Sequence, residues 1–163
     1  ETIVSDDYDV SKPSNLMGEL LPVSNILFNL DYDDPSRAIS QIADIIGTAN
    51  RNQIFNTINS VLNEYPLELT EDVVLVHSRT DLLDDYLLFT AVSNQGFVYN
   101  TLSEGGRYRI MIVLLSPLSK STQSHLNVLS QISRFVMVQK MIDALLISEN
   151  RDQFLKHVSV EDS

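Results

Sequence analysis

The chain has 163 residues, about the size of one domain. Its 22 acidic and 11 basic residues give a net charge of −11. This charge argues against nucleic acid polymers and anionic lipid as main partners, because both require a basic face. There is no cysteine, so disulfides, thiolate nucleophiles and zinc–thiolate sites are excluded. The longest apolar run, Ile110 to Leu115, is too short to span a membrane.

The ends of the chain are polar, and the middle has the composition of a folded domain. Residues 1–15 are acidic and are interpreted as a linker or tail, residues 16–158 as one domain, and residues 159–163 as a second tail. The first residue is Glu rather than Met. We therefore expect that the chain was trimmed or is a fragment whose linker joined an upstream segment.

The first half of the domain predicts one strand and two helices. Residues 25–30 predict the first strand, and residues 31–34 a turn. Asp34 as N-cap and Pro35 at the first helical position predict a helix that ends at Gly47. A second helix is expected over residues 51–65. The aspartates of the turn lack the glycine and distal glutamate of a calcium loop, so they are interpreted as a solvated loop.

The middle of the chain predicts a sheet. Residues 70–77 contain an unbroken aliphatic run that indicates a strand buried on both faces and ending at His77. Residues 86–92 predict a strand, residues 96–99 a short edge strand, and residues 109–115 a second buried strand stopped by Ser116 and Pro117.

Helices close the domain. Several N-cap candidates lie in residues 119–122, ahead of a long helix, a shorter helix and a last short helix over residues 150–158. Because strands and helices run along the whole chain, we expect an α/β fold in which a mixed β-sheet is sandwiched between helices on both faces.

The candidate site lies after the two buried strands. His77, Ser78 and Arg79 follow the first of them, and His125 lies in the first turn of the helix after the second. If the two strands are parallel neighbours, these residues and the N–H groups near Ser121 could surround one phosphate. The simpler alternative is that His77 only bonds a nearby backbone group. A metal site lacks a third ligand, so neither a metal nor another cofactor is expected.

Four stretches resemble the enzyme IIA domain of the fructose, mannitol and nitrogen-regulatory branch of the bacterial phosphoenolpyruvate-dependent sugar phosphotransferase system. These stretches are Asn25-Ile26 with Leu30, Val74 to Arg79, Ile110 to Pro117, and His125-Leu126-x-x-Leu129-Ser130-x-Ile132. Residues 145–155 are similar to the family's last two helices. The resemblance implies that His77 accepts a phosphoryl group from a histidine phosphocarrier protein and that His125 stabilises the phosphate.

The chain departs from the family pattern at two places near this site. The family has a proline before the active histidine, where this chain has Val76. The family also has an Arg-Glu pair whose arginine borders the active site, and the nearest match here is Asn63-Glu64. Losing a guanidinium removes a charge-assisted partner for phosphate, although Arg79 could replace it. A binding role is therefore favoured over an enzymatic one.

Three alternative functions follow, the first two from the resemblance and the third from the pocket at the ends of the strands. The first is a cytoplasmic regulatory domain of a bacterial transporter, a sodium or potassium/proton antiporter, tethered at the inner membrane through the transporter's membrane domain. The second is an active phosphocarrier that uses His77, and the third is a nucleotide-binding sensor. The expected ligand of the first is a small phosphate-bearing molecule held by His77, Ser78, Arg79, Ser121 and His125. Association into a homodimer is left open.

Overall fold

A five-stranded mixed sheet forms the centre of the part of the chain that the computed structural model describes, which is residues 25–47, 49–99, 102 and 106–160. The strands are β1 (Ile26–Leu30), β2 (Leu67–Glu68), β3 (Val73–Thr80), β4 (Leu87–Val98) and β5 (Arg107–Pro117). Their spatial order is β1-β4-β5-β3-β2. The pairs β1–β4 and β3–β5 are parallel, whereas β4–β5 and β2–β3 are antiparallel. The predicted α/β class with a mixed sheet is confirmed.

Helices cover both faces of this sheet. The helices are α1 (Pro35–Ile46), α2 (Arg51–Glu64), α3 (Thr122–Phe135), α4 (Gln139–Ile147) and α5 (Arg151–Val160). Within the described residues, no helix is long and apolar enough to cross a membrane. The proposed linker over residues 1–15 lies outside the described residues, as do residues 161–163 of the proposed tail.

The side chains of β3 alternate between the two helical layers. Val73 and Leu75 pack in the cluster that includes α3, α4 and α5, whereas Val74 and Val76 pack in the cluster that includes α1 and α2. Successive side chains of a strand point to opposite faces. A strand covered on both sides therefore needs an unbroken aliphatic run, as this sequence has.

The ends of α1 follow from its sequence. The side chain of Asp34 accepts a hydrogen bond from the Ser36 backbone N–H at 2.9 Å, so it caps the helix as predicted. Pro35 occupies the first helical position, where its missing N–H costs no hydrogen bond. Gly47 has φ 61°, the left-handed conformation that glycine adopts at helix ends.

The predicted end of β3 at His77 is wrong. The strand continues through Ser78 and Arg79 to Thr80, and these residues pair with residues 115–117 of β5. The pairing bonds of a sheet are formed by the backbone, so polar side chains do not stop a strand when a neighbouring strand continues beside it.

The predicted edge strand over residues 96–99 is also wrong. Residues 96–98 belong to β4, which lies inside the sheet between β1 and β5. The register of β4 shifts between Val92 and Phe97. At this irregularity Ser93 Oγ accepts a hydrogen bond from the Gly96 N–H at 3.1 Å and donates to the Tyr32 carbonyl at 2.6 Å. The sequence of a bulged strand therefore resembles two short strands joined by a turn, although the backbone forms one strand.

Candidate functional site

The candidate site lies on the face of the sheet that α3 covers. Its residues meet there because side chains alternate between the two faces along the parallel strands β3 and β5. His77 and Arg79 follow Val73 and Leu75 on that face of β3, and Ser116 follows Leu114 on the same face of β5. In the strand register, His77 is paired with Leu114 and Arg79 with Ser116. The two buried strands are parallel neighbours, which is the condition under which these residues come together.

His125 is supplied by α3, the helix that covers this face. It lies in the first turn of α3 and is only 7% exposed. Its ring centroid is 5.5 Å from that of His77, and the two ring planes are inclined by 40°. The half-buried His77 ring and the buried His125 ring therefore form one pair, as the sequence predicted.

Ser116 fixes the orientation of His125. Its hydroxyl oxygen is 2.7 Å from His125 Nδ1, and both residues are buried. With Nδ1 held by the hydroxyl, Nε2 is the ring nitrogen of His125 available to a ligand. The sequence analysis treated Ser116 only as a strand stop. Its position two residues after Leu114 could have indicated that it shares the face of His77.

The electrostatics of the pair favour neutral imidazoles. Burial lowers the pKa of His77. Burial also lowers the pKa of His125, and the neighbouring His77 and Arg79 lower it further. Both changes disfavour protonation, because a buried charge loses hydration and like charges repel. At neutral pH the pair therefore offers unprotonated ring nitrogens.

Arg79 joins β3 to the loop before α3. Its Nη2 donates to the Lys120 carbonyl and its Nη1 to Thr122 Oγ1, at 2.5 and 3.2 Å. Its Nε is buried and lacks a hydrogen-bond partner in the part of the chain that is described. Two of the guanidinium nitrogens thus hold the loop, so less of the group remains for a ligand.

The other two predicted ligand-binding residues have different positions. Ser121 is the N-cap of α3, and its Oγ accepts a hydrogen bond from the Ser124 N–H at 3.0 Å. Ser78 lies on the other face of β3 by alternation, and its hydroxyl donates to the Arg79 carbonyl at 3.3 Å. The structure therefore places Ser121 in the loop beside the pair but does not bring Ser78 to the face of the pair.

Tyr86 adds a second tie to the start of α3. Its hydroxyl is hydrogen-bonded to Ser124 Oγ, next to His125 in the chain. Because Tyr86 precedes β4, this bond connects another strand to the helix that carries His125. The sequence analysis interpreted Tyr86 only as the first residue of a strand, and nothing in the sequence indicated that its hydroxyl bonds α3.

Asn63, the nearest match to the family's arginine, lies far from the histidines. It lines a cavity together with Val98, and Val98 pairs with Arg107 at the start of β5. His77 pairs with Leu114, seven residues further along β5. At about 3.3 Å per residue, this separation is roughly 23 Å. The cavity that Asn63 lines therefore lies at the Arg107 end of β5, whereas His77 lies beside Leu114 toward the other end of that strand.

The pair can bind an anion or act as a nucleophile. Among the described residues, no group of three or more His, Cys, Asp or Glu side chains is arranged to hold a metal ion. A neutral imidazole can attack phosphorus, and a neighbouring imidazole and guanidinium can hold phosphate oxygens. The arrangement therefore fits phosphate chemistry.

Comparisons with known proteins identify the family and the fold of this chain. The sequence matches the EIIA 2 family of the phosphoenolpyruvate-dependent sugar phosphotransferase system over residues 19–160. A comparison with curated protein sequences found no match. Among solved structures, nitrogen regulatory protein IIA-Ntr from Neisseria meningitidis has a TM-score of 0.72 and 16% identity, with 88% of this chain and 99% of that chain covered.

Two further solved structures come from Escherichia coli. IIA mannitol has a TM-score of 0.66 and 14% identity, with 85% of this chain and 98% of that chain covered. The mannitol-specific cryptic phosphotransferase enzyme IIA CmtB has a TM-score of 0.63 and 17% identity, with coverages of 89% and 98%. At these identities the likeness shows the fold alone. The family match, by contrast, spans most of the sequence, and this chain therefore belongs to the EIIA 2 family of the phosphoenolpyruvate-dependent sugar phosphotransferase system.

Proposed function

We propose that this chain is a regulatory enzyme IIA-type domain of a bacterial sodium or potassium/proton antiporter, which it contacts from the cytoplasm. The observation that carries the proposal is the state of Arg79. Its two terminal nitrogens hold Lys120 and Thr122, so the cation beside the histidine pair already serves the structure of the loop. A site of this kind is better suited to binding a ligand than to rapid phosphoryl relay.

Two further observations support a regulatory role. Asn63 lines the cavity at the Arg107 end of β5, and its uncharged side chain supplies no cation to His77. Val76, which stands where the family has proline, is buried against the α1–α2 layer. The two histidines are thus held close together, whereas Arg79, the cation that would balance the charge of a phosphoryl group, already donates hydrogen bonds to the loop.

In this role the histidine pair senses a small phosphate-bearing ligand. Binding would bring negative charge against Arg79 and the start of α3, where side-chain hydrogen bonds from Arg79 and Tyr86 tie the loop and the helix to the sheet. A ligand that competes for the guanidinium would loosen Lys120 and Thr122. The loop and the exposed start of α3 would then present a different surface to the membrane domain of the antiporter.

Two experiments test the regulatory proposal. Sequencing the gene upstream of the codon for Glu1 should show an open reading frame that encodes membrane-spanning helices, and a start codon directly before Glu1 would argue against a fused transporter. In inverted membrane vesicles, the His77→Ala/His125→Ala variant of the full protein should lose regulation of cation/proton exchange. Unchanged regulation in that variant, with His157→Ala as the matched control, would rule out the histidine pair as the sensor.

The second candidate function is a working phosphocarrier with His77 as the acceptor. The observation that favours it is the contact between His125 Nδ1 and Ser116 Oγ, which fixes the second imidazole beside the first. A neutral His77 nitrogen would attack the phosphorus of the carrier's phosphohistidine. A new N–P bond forms at His77 and the old N–P bond breaks. The other ring nitrogen of His77 loses its proton, and the carrier's imidazole takes up a proton as it leaves, so it leaves as the neutral base.

Intact-mass analysis distinguishes these two candidates. The protein is incubated with phosphoenolpyruvate, enzyme I and the histidine phosphocarrier protein, and it is kept at neutral or alkaline pH because phosphohistidine is acid-labile. A gain of one phosphoryl group that is absent in His77→Ala would establish the phosphocarrier. No gain, while an active IIA protein is phosphorylated in the same mixture, supports the regulatory domain.

A further inference from the structure

The positive charge that a ligand meets at the histidine pair is limited. Arg79 lies on the face of the pair, but its Nη1 and Nη2 donate to Thr122 and to the Lys120 carbonyl, and its Nε is buried. A phosphate-type anion at the pair therefore meets two neutral imidazoles and a guanidinium that is tied to the loop. Moving an anion from water into a partly buried site is costly unless a positive charge balances it. Binding of such an anion thus favours a second positive charge in the site.

The two histidines are the groups of the site that can gain this charge near neutral pH. Burial lowers the pKa of His77 and of His125, and His77 and Arg79 lower the pKa of His125 further. No carboxylate among the described residues raises the pKa of either ring, and the neighbouring Tyr86 hydroxyl is bonded to Ser124. Without an anion both rings are therefore neutral at neutral pH. The ring centroids are 5.5 Å apart, so like-charge repulsion favours one added proton over two.

The positions of the two rings decide which of them takes the proton. His77 is half-buried on β3, so it remains in contact with solvent. His125 is only 7% exposed and lies in the first turn of α3, where the helix dipole disfavours a positive charge. Its Nδ1 is 2.7 Å from Ser116 Oγ, and a hydroxyl that donates to Nδ1 keeps the ring neutral with its proton on Nε2. His125 can thus donate one hydrogen bond to an anion without gaining charge, whereas His77 can gain the charge.

We propose that His77 takes up one proton from the solvent when a phosphate-type anion binds to the histidine pair, so that the affinity for the anion rises as the pH falls. The inference rests on the proposed function in one respect, namely that the ligand of the pair bears phosphate. It adds a regulatory property to that function. A domain of this kind responds to its ligand more strongly in acid than in alkaline solution.

The sign of the pH dependence follows from the proton uptake. A bound anion raises the pKa of His77 above its value in the free site. Between these two pKa values the free site is neutral and the complex is protonated, so the affinity falls by up to about tenfold for each unit of increasing pH. Above the pKa of the complex neither state is protonated, and the affinity is low and constant. Since burial lowers the pKa of the free His77 from 6.5, the dependence should be visible between about pH 6 and pH 8.

Isothermal titration calorimetry with the whole chain and sulfate measures the proton uptake. Sulfate has the shape of phosphate and keeps both negative charges throughout this pH range, so a proton that is taken up on binding goes to the protein. Titrations in PIPES and in Tris at the same pH and ionic strength give the number of protons per sulfate, because the ionisation enthalpies of the two buffers differ. We expect close to one proton, and an affinity that falls at least about tenfold from pH 6 to pH 8.

The possible outcomes separate this inference from the proposed function. Binding of sulfate without proton uptake, and with the same affinity at both ends of the pH range, would overturn the proton coupling but leave the anion site in place. If neither sulfate nor inorganic phosphate binds to the wild-type chain, the coupling and the phosphate-bearing ligand of the proposed function are both overturned.

Variants and NMR assign the proton to one ring. His77→Gln should bind sulfate about tenfold more weakly at about pH 6 and without proton uptake, because a charge-assisted hydrogen bond is lost. His125→Gln should keep the uptake, and His157→Gln is the matched control, because His157 lies on α5 beside Lys140. In the wild-type chain, NMR of the imidazole nitrogens should show that sulfate converts His77, and not His125, to the imidazolium form. A charged His125 beside a neutral His77, or unchanged proton uptake in His77→Gln, would overturn the assignment.

Discussion

The rings of His77 and His125 meet with their centroids 5.5 Å apart, one carried by the sheet and the other by the helix that covers it. The contact depends on backbone geometry. His77 lies on the face of β3 that α3 covers, and α3 begins just after β5, the strand next to β3.

The hydrogen bond between Ser116 and His125 can be tested by Ser116→Ala. We expect a loss of about 1 kcal/mol in the free energy of unfolding, since Nδ1 of a buried imidazole loses its partner. Urea denaturation measures the loss, and NMR of the imidazole nitrogens reports the tautomer of His125. The control is Ser119→Ala, at an exposed position before α3. Equal stability of the two variants, with an unchanged tautomer, would contradict a positioning role for Ser116.

The stability of the protein should fall as the pH is lowered below about 6.5, the unfolded pKa of histidine. Both His77 and His125 have lowered pKa values in the folded state, so the unfolded chain binds protons first on acidification. The loss begins at the unfolded pKa and stops below the folded pKa. Its slope cannot exceed about 1.4 kcal/mol per pH unit for each histidine.

Denaturation between about pH 5 and pH 8 measures this slope. The His77→Gln/His125→Gln variant should show a flatter dependence than the wild type. His157→Gln is the control, because His157 lies on α5 beside Gln139 and Lys140 rather than near the pair. A double variant with the wild-type slope would show that other groups cause the pH dependence.

The tether formed by Arg79 predicts a local effect on dynamics. Arg79→Ala removes the hydrogen bonds to Lys120 and Thr122, so amide hydrogen exchange in residues 118–122 should become at least about fivefold faster, corresponding to about 1 kcal/mol. Exchange in the centre of β5 should change much less. Arg37→Ala is the control, since Arg37 belongs to α1 and lies over the Tyr32 ring. Equal exchange in the loop of both variants would show that Arg79 does not hold it.

The bulge in β4 should not tolerate a side chain at Gly96. This residue has φ 87°, and an added Cβ would lie 2.8 Å from the Cβ of Arg107 on the paired strand. Gly96→Ala should therefore cost about 2 kcal/mol or more in stability, from backbone strain and the steric clash. Gly47→Ala is the comparison, because its φ is 61° but its nearest neighbour would be at 3.5 Å. A cost for Gly96→Ala no larger than for Gly47→Ala would count against the clash.

The sequence was sufficient to predict the buried strands and their helical cover. Residues 73–76 and 110–115 are aliphatic without interruption, and only a strand covered on both faces needs such a run. From those strands, the meeting of His77 and His125 followed once the strands were taken as parallel neighbours. The ends of α1 were predicted because Asp34 and Gly47 have local conformational preferences.

Features that depend on pairing between distant segments were not predictable. β2 has two exposed residues and no hydrophobic pattern, and it exists because it pairs with Leu75 and Val74 of β3. The bulge at residues 93–96 resembles a turn because the Gly96 N–H bonds the side chain of Ser93 instead of the neighbouring strand. The contact of Ser116 with His125 was missed because Ser116 was interpreted only as a strand stop, although its position two residues after Leu114 places it on the face of His77.

The continuous register of β3 against β5 has a consequence for how this domain can evolve. Eight consecutive residues, from Val73 to Thr80, are paired with β5. Deleting a single residue within β3 would turn every later side chain to the other layer, so His77 would move away from α3. Replacing one side chain leaves the backbone pairs intact. Point mutations can therefore remove the chemistry of this domain over many generations while its shape is inherited unchanged.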